Sequence, residues 1–183
     1  MNVTELECDI KKELRSSMNG ILSARMREAG MPYKLIFGVE LPRLQSIADE
    51  FPQNTELANH LWSQNIRETR LLAIMLMPPE AFSIQMANEW AETMATAEEA
   101  QVMAKILLSK AKEAKEISIA WMAGSNYFSA TCACLCLRHL LMRGTCIDNK
   151  LQVIANCNRM FPEANLHLRK AIQALKEALN EQI

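Results

Sequence analysis

The sequence predicts an all-helical fold, on three observations. Leu, Ala, Met, Glu and Lys are abundant among the 183 residues, whereas Gly numbers five, Pro six and Tyr two, a composition that favours helix from end to end. Every Gly and Pro falls near a boundary between runs of helically spaced apolar residues, as expected of residues that start and stop helices. The stretch 57–77 contains two such runs, with Leu57, Ala58, Leu61 and Trp62 in one and Ile66, Leu72, Ala73 and Leu76 in the other. Ser63, Gln64 and Asn65 form a polar turn between them. Two short helices folded back on each other cannot bury both apolar faces alone, so they need stacked neighbours of the same kind. The expected architecture is a single domain over 1–183, built of antiparallel helix pairs stacked as a right-handed superhelix, an α-solenoid of about eleven helices. A simple globular bundle is the alternative.

The elements follow in order. A first helix is expected over 3–15, with Thr4 and Glu7 spaced as a capping box, and a second over 17–29, ended by Gly30 in the left-handed conformation. Pro32 and Gly38 break the pattern across 31–40, the longest irregular connection. Pro42 suits the first turn of a helix over 41–51, striped by Leu44, Ile47, Ala48 and Phe51 and closed by Pro52. After the central pair, Pro78 and Pro79 are expected to open a helix over 80–93. Thr96 with Glu99 is a second capping box, for 97–109. A helix over 112–123 stops at Gly124, Asn126 caps 127–143, Gly144 ends it, and helices over 147–160 and 164–179 flank Pro162.

Composition also excludes functions. No apolar run reaches the roughly 18 residues of a membrane span, and the charged N-terminus has no apolar signal core, so a cytoplasmic protein is expected. The six Cys lie largely within apolar helical runs and read as reduced, buried thiols. A net charge of −1 argues against indiscriminate binding to nucleic acid or membrane. Its distribution says more: residues 80–100 carry five glutamates and no basic group, while 101–146 carry six Lys and Arg against Glu113 and Glu116.

Three segments carry a family resemblance. Phe37-Gly38-Val39 with the following Leu41 to Ala48, Leu61-Trp62 followed by Glu68-Thr69-Arg70-Leu71-Leu72-Ala73, and Trp121-Met122-Ala123-Gly124-Ser125-Asn126 together resemble the alkylpurine DNA glycosylases built from HEAT-like repeats, over residues 37–140. The resemblance implies HEAT-like repeats whose concave face cradles duplex DNA, with hydrolytic release of alkylated purines. Members use an aspartate, neighbouring tryptophans and a later arginine. An alkylated base is already a good leaving group, so a carboxylate and aromatic faces suffice to stabilise the developing sugar cation; no metal or cofactor is called for. This chain departs from the pattern: the region expected to hold the aspartate reads Thr93 to Glu99, the only aspartates are Asp9, Asp49 and Asp148, and no arginine occurs between Arg70 and Arg138. Either Glu98 or Glu99 supplies the carboxylate or none does, and whether the chain is an enzyme stays open at this stage.

Each candidate has a plainer role beside the functional one. Glu98 and Glu99, the catalytic candidates, also suit a helix N-terminus. Arg43, Arg67 and Arg70 are candidates to grip DNA phosphate through their planar forks, or, for the last two, to snorkel to solvent. Lys105, Lys110, Lys112 and Lys115 straddle a helix junction and can follow a phosphate backbone, or form a solvated turn trimmed by Glu113 and Glu116. Trp90, Trp121 and Tyr127 complete the DNA-binding candidates, against the core role usual for Trp at apolar helical positions. Cys132, Cys136 and His139 share one helical face, but one buried helix is a poor zinc site. Duplex DNA is the expected partner; a noncatalytic scaffold binding a protein or peptide is the alternative.

Overall fold

The computed structural model describes residues 2–181. Among them the chain forms eleven α-helices and three 3-10 turns, with one isolated parallel bridge between Leu35 and Ile66, and no helix is long and apolar enough to cross a membrane. The chain divides into two compact units, Met1–Ala81 and Phe82–Ile183.

The first unit holds α1 (Val3–Ser16), α2 (Gly20–Glu28), α3 (Leu41–Asp49), α4 (Thr55–Trp62) and α5 (Arg67–Leu76). The capping box of α1 lies two residues earlier than predicted: Asn2 caps Thr4 N–H and Glu5 reaches back to Asn2 N–H. Glu7 instead binds Lys11 on its own helix and reaches His60 and Gln64 at the end of α4. Burial opposes its charge, but these hydrogen bonds and the Lys11 and His60 charges hold its pKa below the usual value. Helix α2 starts at Gly20, because Asn19 takes the cap by accepting from Leu22 N–H. Gly30 ends it at φ +79°, the left-handed geometry expected.

Every residue of α5 is buried, polar ones included. An amphipathic stripe does not need this; the loop 36–39 explains it. Glu68, with no exposed surface, accepts the N–H groups of Phe37 at 2.9 Å, Gly38 at 3.0 Å and Val39 at 3.3 Å. Arg67 donates to Glu68 at 2.8 Å and to the Val39 carbonyl at 2.9 Å. A single carboxylate thus satisfies three backbone donors that the loop would otherwise bury unpaired. Gly38 is obligatory here: its φ is +76°, and a Cβ would meet Asn19 O at 2.3 Å and Ser23 N at 2.7 Å. Arg70 lies over the Trp62 ring at 4.0 Å, tying α5 to α4.

The second unit holds α6 (Ile84–Thr93), α7 (Ala97–Ile106), α8 (Ala114–Ala123), α9 (Tyr127–Met142), α10 (Lys150–Met160) and α11 (Leu166–Asn180). Pro78 and Pro79 do not open α6. They lead into the 3-10 turn Pro79–Ala81, and Ser83 caps the helix by accepting from Met86 N–H. Helix α7 stops at Ile106, with a separate 3-10 turn Leu108–Lys110. Ile147 is buried in the turn before α10 instead of opening that helix, and Asn165 starts α11 at Leu166. Helix α9 packs against α7, α8 and α11, while α8 touches α6 and α10, so α7, α9 and α11 form one layer and α6, α8 and α10 the other.

The loop lock predicts that Gly38→Ala loses at least about 2 kcal/mol, since the φ penalty adds to the backbone clash, and that Glu68→Gln loses about 3 kcal/mol by leaving Arg67 buried without its counter-charge. Urea unfolding midpoints at constant slope read both; shifts equivalent to under about 0.5 kcal/mol, the range of ordinary surface substitutions, contradict the lock.

Candidate nucleic-acid interface

Helix α9 organises the second unit because both its ends are tied to neighbouring helices. At its start the Asn126 side chain works in both directions. Its oxygen accepts from Phe128 N–H at 2.8 Å and Ser129 N–H at 3.3 Å, capping α9. Its amide donates to the carbonyls of Ala91 at 2.9 Å and Met94 at 3.2 Å, at the end of α6. Buried Trp121 adds an Nε1–H bond to Asn88 at 3.2 Å. The N-terminus of α9 is thereby held against the C-termini of α6 and α8.

Two clefts flank the turn of Gly124, Ser125 and Asn126. One, of about 500 Å³, lies among Asn88, Glu92, Trp121, Ser125 and Ser129. The other, of about 410 Å³, lies among Ser125, Tyr127, Ala130, Arg159, Met160, Glu163 and Leu168. The second brings together the starts of α9 and α11 and the ends of α8 and α10, which shows that α9 and α11 run parallel.

The opposite end of the layer is basic. Arg143 reaches the Ser109 carbonyl at 3.5 Å, and Lys115 pairs with Asp148 at 3.6 Å, so the α7–α8 and α9–α10 turns lie side by side. Lys105, Lys110, Lys112, Lys115, Arg138, Arg143 and Lys150 belong to these helix ends and turns, against Glu113, Glu116 and Asp148. Lys105, Lys110, Lys112 and Arg143 are exposed. Half-buried His139 registers the field there: burial lowers its pKa, and the charges of Arg138, Arg143 and Lys105 lower it further. The two ends of α9 are about 24 Å apart along its axis, at 1.5 Å per residue.

The chain matches the DNA alkylation repair enzyme family over residues 10–180. It belongs to that family. No curated protein matches it. Among solved structures it is similar to one described as "a new family of proteins related to the HEAT-like repeat DNA glycosylases with affinity for branched DNA structures", at 19% identity and a TM-score of 0.75, covering 93% of this chain and 74% of that one. The fold is accordingly of the HEAT-like-repeat class.

In this DNA alkylation repair family member, the segments that carry the resemblance are positioned by structural bonds. Phe37 to Val39 and Glu68 form the loop lock, and Trp121 to Asn126 form the tie between α6 and α9. Glu99 is buried; its N–H donates to the Thr96 hydroxyl at 3.2 Å, the Thr96 half of the predicted capping box, while its carboxylate accepts from Ala95 N–H at 2.8 Å, one residue before the cap. Glu98 is half-buried at the same helix start. Neither lines either of the two clefts beside the Gly124–Asn126 turn, whereas Glu92 does, and its place four residues after Asn88 on one face of α6 was the available signal. Arg67, only 2% exposed, and Arg70 are held inside the first unit, not presented at its surface. Arg43 links α3 to α1 through Glu13 at 2.8 Å and Ser17 at 3.0 Å, and pairs with Glu50 at the end of its own helix at 3.6 Å. Trp90 is core, edge-on to Phe82 at 5.3 Å. Lys105, Lys110, Lys112 and Lys115 lie on and around the α7–α8 turn, at the same end of the layer as Arg138, Arg143 and Lys150. Trp121 and Tyr127 stand at the other end. Cys132 and Cys136 are buried; desolvation raises both thiols, Cys136 to about 12, so they are protonated packing groups.

The convergence of cations predicts that His139 titrates below 6.5 by NMR, and that its pKa rises when Lys105 and Arg143 are both replaced by Ala. Because the folded pKa lies below the unfolded one, its contribution to stability is complete above about pH 6.5 and falls as pH drops through that range. An unchanged His139 pKa in the double variant contradicts the convergence.

Proposed function

We propose that the protein binds DNA, as a repair-type member of its family, by laying phosphate backbone across the basic end of the second unit. The observation that carries this reading is the gathering of Lys105, Lys110, Lys112, Lys115, Arg138, Arg143 and Lys150 from two adjacent turns, on a chain whose net charge is only −1. Ammonium groups on flexible stems follow a phosphate backbone without reading sequence, and release counterions as they do. The related structure's affinity for branched DNA supports nucleic acid as the partner. Hydrolysis of a glycosidic bond is not part of this reading, since the buried carboxylate of Glu99 is occupied in closing its own helix turn.

A salt titration of duplex binding tests it. Each phosphate contact contributes about 0.9 to the slope of log K against log salt concentration, so replacing Lys105, Lys110 and Lys112 by Gln lowers the magnitude of that slope by about 3 and weakens binding to all sequences alike. An unchanged slope removes these lysines from the interface.

A further inference from the structure

The 410 Å³ cleft beyond the Gly124–Asn126 turn is left unused by phosphate binding at the far end of α9. Tyr127 stands on its rim with 45% of its surface exposed, although a neighbouring position on the same helix, Ala130, is buried. The floor is apolar, from Ala130, Met160 and Leu168, and the rim carries one cation, Arg159, and one anion, Glu163. Arg159 is oriented by an Nη2–H bond to the Met122 carbonyl at 2.8 Å, which holds the guanidinium at the end of α8 with donors to spare. The volume suits a ligand of nucleoside size. An exposed aromatic side chain beside apolar lining, with a planar cation and a carboxylate in the same cleft, matches the face and the edge of a nucleobase. A base stacked and paired within a duplex offers neither its face nor its Watson–Crick edge to such a cleft, only its groove edges.

We propose that this cleft receives one unpaired nucleobase, stacked on Tyr127, with Glu163 and Arg159 at its hydrogen-bonding edge. The inference rests on the reading that the protein binds DNA, and adds to it that unpaired nucleotides are the preferred feature. Guanine presents an imino and an amino N–H side by side, a donor pair that one carboxylate accepts together, so Glu163 selects guanine over thymine.

Fluorescence anisotropy on a forked DNA with unpaired arms, compared with a duplex of equal length, tests the proposal. Wild type binds the fork more tightly; Tyr127→Ala reduces the fork-to-duplex affinity ratio about tenfold, the scale of one lost base stack, and Tyr127→Phe keeps it. Guanine at the unpaired positions binds more tightly than thymine, and Glu163→Gln removes that difference. The Lys105, Lys110 and Lys112 variant weakens fork and duplex together and preserves the ratio. A wild-type ratio of one, a ratio unaffected by Tyr127→Ala, or equal binding of guanine and thymine by wild type overturns the proposal while leaving DNA binding intact. Absence of binding to either DNA defeats the DNA-binding reading itself.

Discussion

The second unit depends on one amide. Asn126 supplies an acceptor to the first N–H groups of α9 and donors to the last carbonyls of α6. It thereby satisfies two helix termini that would otherwise bury unpaired polar groups. Few side chains can do this, because the position needs both an acceptor and two donors on a short stem. Once α9 is held there, its parallel packing beside α7 and α11 follows, and the turns that leave the other ends of these helices are brought together. The charge separation of the unit is a consequence of that topology. Lysines dispersed between 105 and 115 meet arginines from 138 and 143 because two parallel helices end at the same level.

The first unit shows the same economy with a carboxylate. Glu68 fixes three successive loop N–H groups, and Gly38 permits the backbone to approach α2 where no Cβ fits. Both belong to segments by which the chain resembles the DNA alkylation repair family, as do Trp121 and Asn126. The shared residues are thus those that set backbone geometry. Where the resemblance expects an aspartate and a later arginine, this chain has neither, and Glu99 in that region is bonded into its own helix start.

Helix number and type were legible in the sequence because the apolar spacing is regular and the punctuation by Gly, Pro and Asn is clear. Boundaries moved where two caps competed: Asn2 displaced Thr4, and Ser83 displaced the proline pair at 78 and 79, whose rigid backbone closes only a single 3-10 turn. The division into two units was not legible, since the change at Phe82 falls in a short proline-marked connection of the kind that also separates other helices. The charged candidates were harder to rank. Arg67 and Arg70 look surface-directed in sequence, and only the loop carbonyl that Arg67 binds and the Trp62 ring beneath Arg70 show why they are buried. The lysine cluster was visible as a run, whereas its partners on α9 come from a distant segment that only the packing of α7 on α9 reveals.

The central claim, that the ends of parallel helices build the DNA-binding face, is tested most directly by amide hydrogen exchange with and without duplex DNA. The account predicts protection in the turns around 107–113 and 143–149 together, with no comparable change in α1 or α2. Protection confined to the first unit, or absent from both turns at saturating DNA, would contradict it.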